Sequence, residues 1–180
     1  MICWVVGLSG SGKTTIGREL YYRLKNKNKA TVFVDGDSIR RVFQADGSDS
    51  DYSIQGRRRN AERIFEICSW LDKESMDVVC CILAIFPDIL ARNREAFSDY
   101  FEVFVDVPVD TLIERDDKGV YRSAAESDSR NVVGVDIPFP IPKAPDLIVD
   151  NSTFSVSPRV WAERIMIASE ARERSVEGND

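Results

Sequence analysis

The sequence predicts an α/β fold, a doubly wound five-stranded parallel sheet flanked by helices, with a lid segment. Three observations predict it. Short runs that are apolar throughout, rather than alternating, recur along the chain, as strands buried on both faces of a parallel sheet do. Segments with apolar residues at helical spacing lie between several of them, giving the strand–helix alternation of a doubly wound sheet. A glycine-rich loop joins the first run to the first helix. At 180 residues and 43% hydrophobic content, the chain suits one domain spanning 1–180.

The elements follow in order. Ile2 to Val6 is the first apolar run, and Thr14 to Leu24 then sets Ile16, Leu20, Tyr21 and Leu24 at helical spacing. Lys25 to Lys29 ends that helix in a solvated turn. Thr31 to Val34 is a second strand closing on Asp35-Gly36-Asp37, with a short helix from Ser38 through Phe43. Ala45 to Ser53 is a polar loop. Arg57 to Leu71 returns to helical periodicity, with Ile64, Ile67, Cys68 and Leu71 on one stripe. Val78 to Ile85, the most apolar run, is a central strand; Phe101 to Val107 and Leu147 to Val149 complete the five. The polar stretch from Asp110 to Pro145 starts with a helix, and loops of that length usually form lids or binding loops; 115–145 is the lid candidate. Ser157-Pro158 opens an amphipathic helix over 158–174, with proline in the first turn.

Composition narrows the function. A net charge of −6 argues against a general grip on a nucleic-acid polymer, which needs a basic face. No apolar run approaches the ~20 residues of a membrane span, and Met1 leads straight into a strand with no room for a signal peptide. No membrane association and a cytoplasmic location are therefore expected. Cys3, Cys68, Cys80 and Cys81 form no C-x-x-C pair, and three of them sit in apolar runs as small hydrophobes. The absence of histidine removes histidine bases and the common zinc sites, so any base is a carboxylate, a lysine or a water.

Gly7-Leu8-Ser9-Gly10-Ser11-Gly12-Lys13-Thr14 matches G-x-x-x-x-G-K-[ST], the phosphate-binding P-loop, in its proper strand–loop–helix context. Inward-pointing backbone N–H groups and the dipole of the helix beginning near Lys13 favour phosphate. The nucleotide is read as ATP, held by Gly7, Ser9, Gly10, Ser11, Gly12, Lys13, Thr14 and Thr15. Lys13 bridges the β- and γ-phosphates, and Thr14 offers its hydroxyl to Mg²⁺. The bland alternative, a glycine turn that merely joins strand to helix, does not account for the lysine and threonine.

Switches and motors share this loop, so neighbouring residues must decide. Alternation along an extended chain points Asp35 and Asp37 to the same side at a strand's carboxyl end; one would orient Mg²⁺ or its water and the other accept a hydroxyl proton. The alternative is an Asp-Gly turn with a capping aspartate. Arg57-Arg58-Arg59-Asn60 opens a helix where cations oppose the dipole, which suggests an anionic partner or a solvated basic turn. Arg115 and Lys118 put cations on a lid that closes over phosphates, or make surface salt bridges.

At these residues the chain resembles adenylylsulfate kinase, which phosphorylates the 3′-hydroxyl of adenosine 5′-phosphosulfate in sulfate assimilation. The similarity runs colinearly from Ile2 to about Asn151. It is carried by the P-loop with Thr15; Asp35-Gly36-Asp37 with Arg40; Arg57-x-x-Asn60; and Phe104 to Pro108 followed by Glu114-Arg115-Asp116, Lys118-Gly119 and Tyr121. Gly134-Val135-Asp136 and Pro138 extend it. The resemblance implies a phosphotransferase with an alcohol acceptor. Asp35, Arg40, Arg57, Asn60 and Lys118 would contact the acceptor nucleotide, Asp37 would lie nearest the attacking hydroxyl and the metal, and Arg115 would join Lys13 in holding the transferred charge.

The departures bear on the acceptor. In the family two aromatics sandwich the acceptor's adenine; Tyr52 fills the first place, but the second falls on Val132. The family's Ile-Ser-Pro-Tyr-Arg segment reads Ile85-Phe86-Pro87-Asp88-Ile89, so its arginine is gone and Phe86 narrows the same floor. These changes resemble a branch that phosphorylates cytidine diphosphoramidate in capsule-polysaccharide pathways. The expected partner is thus a small nucleotide acceptor, adenosine 5′-phosphosulfate or a cytidine nucleotide, and a homodimer is compatible with the chain. A sugar or metabolite kinase and a non-catalytic ATP-binding regulator are the competing readings.

Overall fold

The structure is a computed structural model that describes residues 1–43, 49–116, 119–122 and 131–177. Five parallel strands, β1 (Ile2–Val6), β2 (Thr31–Asp35), β3 (Asp77–Ile82), β4 (Tyr100–Asp106) and β5 (Leu147–Asp150), form one sheet in the order β2-β3-β1-β4-β5. β1 lies at the centre, with Ile2 beside Val78 on one flank and Tyr100 on the other. The helices are α1 (Lys13–Lys27), α2 (Gly36–Val42), α3 (Asp49–Tyr52), α4 (Ile54–Lys73), α5 (Pro87–Ala96), α6 (Val109–Arg115) and α7 (Pro158–Glu177).

The double winding follows from the alternation of side chains within each apolar run. Ile2, Trp4 and Val6 face Ile64, Phe65 and Cys68 of α4 and Ile89 and Leu90 of α5. Cys3 and Val5 face Ile16 and Leu20 of α1 and Trp161 and Ile165 of α7. Both faces are thus covered, which is why every residue of β1 is buried. A third cluster, Leu8, Ile85, Val107, Leu112, Tyr121, Val133 and Ile137, gathers the loops at the strands' carboxyl ends.

Several boundaries differ from expectation. β3 stops at Ile82, and Leu83 to Phe86 turn away into α5, a helix the sequence pattern did not reveal although Pro87 is its first residue. α2 begins at Gly36 because the Asp35 carboxylate, not Ser38, caps it, accepting the Ser38 N–H at 3.1 Å. Strand alternation therefore does not relate Asp35 to Asp37: the first ends β2, the second lies in the first turn of a helix. α4 starts at Ile54, where the Ser53 hydroxyl accepts the Gly56 N–H at 3.1 Å. Arg57 consequently sits beyond the first turn, where the opposing dipole has weakened. Within the lid candidate, residues 131–137 form a short strap. It is closed by the Val133–Ile137 bridge and by the Asp136 carboxylate, which accepts the N–H groups of Asn131 and of Val132, the latter at 2.5 Å.

Candidate active site

The loop between β1 and α1 takes its shape from what surrounds it. A Cβ on Gly7 would lie 2.7 Å from the Ser11 hydroxyl and 2.8 Å from the Val105 carbonyl, so only glycine lets the loop pass that close to β4. Gly12 precedes α1 at φ 93°, a left-handed conformation that glycine adopts freely. Asn151, just after β5, donates to the Ser11 carbonyl at 2.9 Å, and the Tyr121 hydroxyl donates to the Ser9 carbonyl at 3.0 Å. Two elements far away in sequence thus hold the loop open. Tyr121 is in turn placed by Asp116, whose carboxylate accepts the N–H groups of Tyr121 and Arg122 at 3.1 and 2.6 Å. Sequence reasoning gave Asn151 and Tyr121 no role at the phosphate loop, because the bonds join residues more than a hundred positions apart.

Lys13, the first residue of α1, donates its ammonium to the Leu8 carbonyl at 3.1 Å. The Thr14 hydroxyl donates to Asp35 Oδ2 at 3.3 Å, so Asp35 ties the phosphate loop to β2. Asp37 is exposed toward the same space. The Thr14 hydroxyl beside the Asp35 carboxylate, with Asp37 lining the same cleft, would suit a small divalent cation that takes its other ligands from water and phosphate. Among the described residues no cluster of three or more carboxylates or cysteines forms a protein-only metal cage.

A cleft of about 350 Å³ runs from this loop to α4. Ser9, Lys13 and Thr14 line one end, Asp35 and Asp37 the middle, and Arg40, Tyr52, Arg57 and Asn60 the other. Val132 and Asn131 border it from the strap, and Cys81, Ile82 and Leu83 also line it. The structure therefore brings together ten of the residues singled out by sequence: Ser9, Lys13, Thr14, Asp35, Asp37, Arg40, Tyr52, Arg57, Asn60 and Val132.

Others stand apart. Ile85 is buried in the third cluster, and Phe86 packs between two clusters under the Arg58 guanidinium, 4.1 Å from its ring centre. Neither lines the cleft, because the chain turns out of β3 at Leu83, so the expected narrowing of the floor by Phe86 is not what the fold produces. Asp88 accepts both terminal nitrogens of Arg58, at 2.5 and 3.1 Å, which fixes that arrangement. Arg115 stacks its guanidinium 3.6 Å from the centre of the Phe154 ring and does not line the cleft. Thr15 is exposed on α1. Lys118 lies outside the described residues.

The far end of the cleft seeks anions in spite of the acidic chain. Arg40 lies 4.8 Å and Arg57 5.7 Å from the centre of the Tyr52 ring. Burial, and then the nearby Arg40 charge, lowers the Arg57 pKa below its usual value, with Tyr52, Asp37 and Asp136 acting the other way. Arg57 is held by carbonyls, donating to Tyr52 at 2.8 Å and to Asn131 at 2.7 Å. Asn60 is only 4% exposed; its amide nitrogen donates to the Gly36 carbonyl at 3.1 Å, while its oxygen has no partner among the described residues. A buried acceptor left without a donor costs about 1–3 kcal/mol, and at the lip of a cleft it marks a place for a ligand's N–H or O–H.

A phosphate loop that faces a cationic, hydrogen-bonding wall across one cleft is the layout of a P-loop kinase. Residues 1–150 match the family described as adenylylsulphate kinase, and the chain belongs to that family. It is 38% identical over 151 residues to the cytidine diphosphoramidate kinase of Campylobacter jejuni, covering 84% of this chain and 86% of that one. With the adenylyl-sulfate kinase of Clostridium kluyveri it shares 31% over 157 residues, 87% of this chain and 77% of the relative. Among solved structures, the Mycobacterium tuberculosis APS kinase CysC, in complex with AMPPNP and APS, superposes with a TM-score of 0.81 at 28% identity. That match covers 94% of this chain and 96% of the other. The chain is thus a kinase, a phosphotransferase with a hydroxyl acceptor. No helix among the described residues is long and apolar enough to cross a membrane.

Proposed function

We propose that this kinase transfers the γ-phosphoryl group of MgATP to the 3′-hydroxyl of a small anionic nucleotide, and that the nucleotide is cytidine diphosphoramidate. One observation carries the choice of base. Among the described residues the acceptor end offers one aromatic platform, Tyr52, and the strap brings aliphatic Val132, not a second ring, to the same cleft. Losing one stacking face forfeits ~1–3 kcal/mol, a loss that weighs most on a large purine. The 38% identity to the Campylobacter enzyme points the same way. Adenosine 5′-phosphosulfate is the second reading, favoured by the family and by the APS bound in the Mycobacterium structure.

In this reading the loop amides and Lys13 hold the β- and γ-phosphates. Thr14 and Asp37 hold Mg²⁺, which when bound neutralises charge on the transferred group. Asp35 anchors the Thr14 hydroxyl and, by the resemblance, reaches the acceptor as well. Asp37 lies nearest the attacking hydroxyl and takes its proton; a carboxylate suffices, because phosphoryl transfer depends on alignment and charge more than on a strong base. Arg40, Arg57 and Asn60 position the acceptor; by the resemblance alone, Lys118 would contact it too and Arg115 would share with Lys13 the charge that develops on the phosphoryl oxygens.

The test is ADP release with cytidine diphosphoramidate, adenosine 5′-phosphosulfate and plain nucleotides, with mass spectrometry locating the added phosphate. Cytidine diphosphoramidate should give the highest kcat/KM; preference for adenosine 5′-phosphosulfate would move the assignment to the second reading, and phosphorylation of none would end the nucleotide proposal. Asp37→Asn should lower kcat at least ~100-fold while ATP binding, measured by titration calorimetry, persists.

A further inference from the structure

The strap carries a polar side chain that the motifs did not single out. Asn131 lines the cleft immediately before Val132, and its side-chain amide makes no hydrogen bond among the described residues. Its backbone, by contrast, is fixed on both sides. Its N–H donates to the Asp136 carboxylate and its carbonyl accepts from Arg57 Nη2 at 2.7 Å. It holds a φ of 77°, a left-handed conformation that asparagine tolerates better than most residues. The same Arg57 guanidinium bonds the Tyr52 carbonyl at 2.8 Å. One cation therefore ties the backbones of Tyr52 and Asn131 together, and both residues line the same cleft.

We infer that Asn131 reads the edge of the acceptor base that stacks on Tyr52, its Oδ1 accepting an N–H from the exocyclic amine and its Nδ2 donating to the adjacent ring nitrogen. This deepens the nucleotide-acceptor reading and rests on it. Cytosine and adenine both present an amine beside an unprotonated ring nitrogen, and a carboxamide matches that pair with one donor and one acceptor. Asn131 is thus a specificity-determining residue. Asp136 and Arg57 are its positioning residues, since they touch only its backbone.

The experiment compares each acceptor with its amine-deleted counterpart: cytidine diphosphoramidate against the 2-pyrimidinone analogue, and adenosine 5′-phosphosulfate against the purine riboside analogue. In the wild-type protein, removing the amine should lower kcat/KM by about tenfold or more, because it deletes one of the two hydrogen bonds and leaves Asn131 Oδ1 without its donor. Asn131→Gly keeps the left-handed backbone and both backbone bonds; it should fall to the level of the amine-deleted substrate or below and no longer distinguish the pair, with the KM for ATP moving less than about twofold. Asn131→Asp keeps an accepting oxygen and should retain the preference. Preference retained in both variants, or lost in both, overturns the assignment, as does a wild-type protein that ignores the amine while phosphorylating either nucleotide. If the wild-type protein phosphorylates none of the four, the nucleotide-acceptor reading itself fails, and this inference falls with it.

Discussion

Asp35 serves two neighbours at once. One carboxylate oxygen accepts the Thr14 hydroxyl at 3.3 Å and the other accepts the Ser38 N–H at 3.1 Å, so the phosphate loop and the first turn of α2 are set by one side chain. Asp37, two positions on, stays exposed to the cleft. Such a division of labour between two aspartates follows from the helix starting one residue after the strand, and an alternating strand pattern cannot express it. Much else at the residue scale was legible: the lysine and threonine of the loop, Arg40, Arg57, Asn60 and Tyr52 all reach one cleft. Asn131, Tyr121 and Asn151 were not, because their places depend on backbone contacts between segments distant in the chain. Two substitutions probe the stacking platform. Tyr52→Ala should raise the acceptor KM by about 5–100-fold with little change in the KM for ATP, as loss of one base–aromatic contact requires. Val132→Phe supplies a second ring and should shift the kcat/KM ratio toward adenosine acceptors by about tenfold, read from the same coupled ADP assay.

At the scale of elements, all five apolar runs form strands; the three inner ones, β3, β1 and β4, are buried on both faces and so are apolar at nearly every position, while the edge strands β2 and β5 are only partly buried. Helix α5 was missed because its ten residues mix Arg92, Asn93, Arg94 and Glu95 with few apolar positions, and a proline at its start was its main signal. Arg92 also shows how such a helix is fastened: its guanidinium meets Glu62 at 2.5 Å and lies 3.7 Å from the centre of the Phe65 ring, both on α4. The turn into α1 is the element most sensitive to change. Gly12→Ala meets a φ of 93° and places a methyl 2.8 Å from Asn151 Nδ2, the group that steadies the loop. The left-handed backbone alone costs about 1–2 kcal/mol. Weaker ATP binding by calorimetry, together with a lower Tm, is the expected result; unchanged values for both would show that the loop relaxes without loss.

Across the whole molecule, the amino end of the sheet is held by ions where its carboxyl end holds the site. Arg94 of α5 donates to the Ala144 carbonyl at 2.8 Å and to Asp146 at 3.1 Å, and Arg172 of α7 pairs with Asp99. Within this network Glu102 is 3% exposed, accepts the Tyr100 hydroxyl at 2.8 Å, and has its pKa raised, chiefly by burial. A carboxyl whose folded pKa is raised lends its stability below its unfolded pKa and loses it as pH rises through the folded value. Glu102→Gln, which does not titrate and can still accept from Tyr100, should therefore melt a few degrees above the wild-type protein at pH 8. That gap should close as the pH falls toward the ordinary carboxylate range, and a gap that does not change with pH would assign the effect to packing instead.

All four cysteines are buried and reduced, and burial pushes the thiols of Cys3, Cys80 and Cys81 upward in pKa. The folded protein therefore presents a chemically silent background to maleimides and other thiol-directed dyes. A single cysteine placed at Val135, which is 55% exposed on the strap, would take up a fluorophore or a spin label selectively. Paired with a second label on α4, it would turn the distance across the acceptor cleft into an optical or magnetic signal, readable while the enzyme turns over.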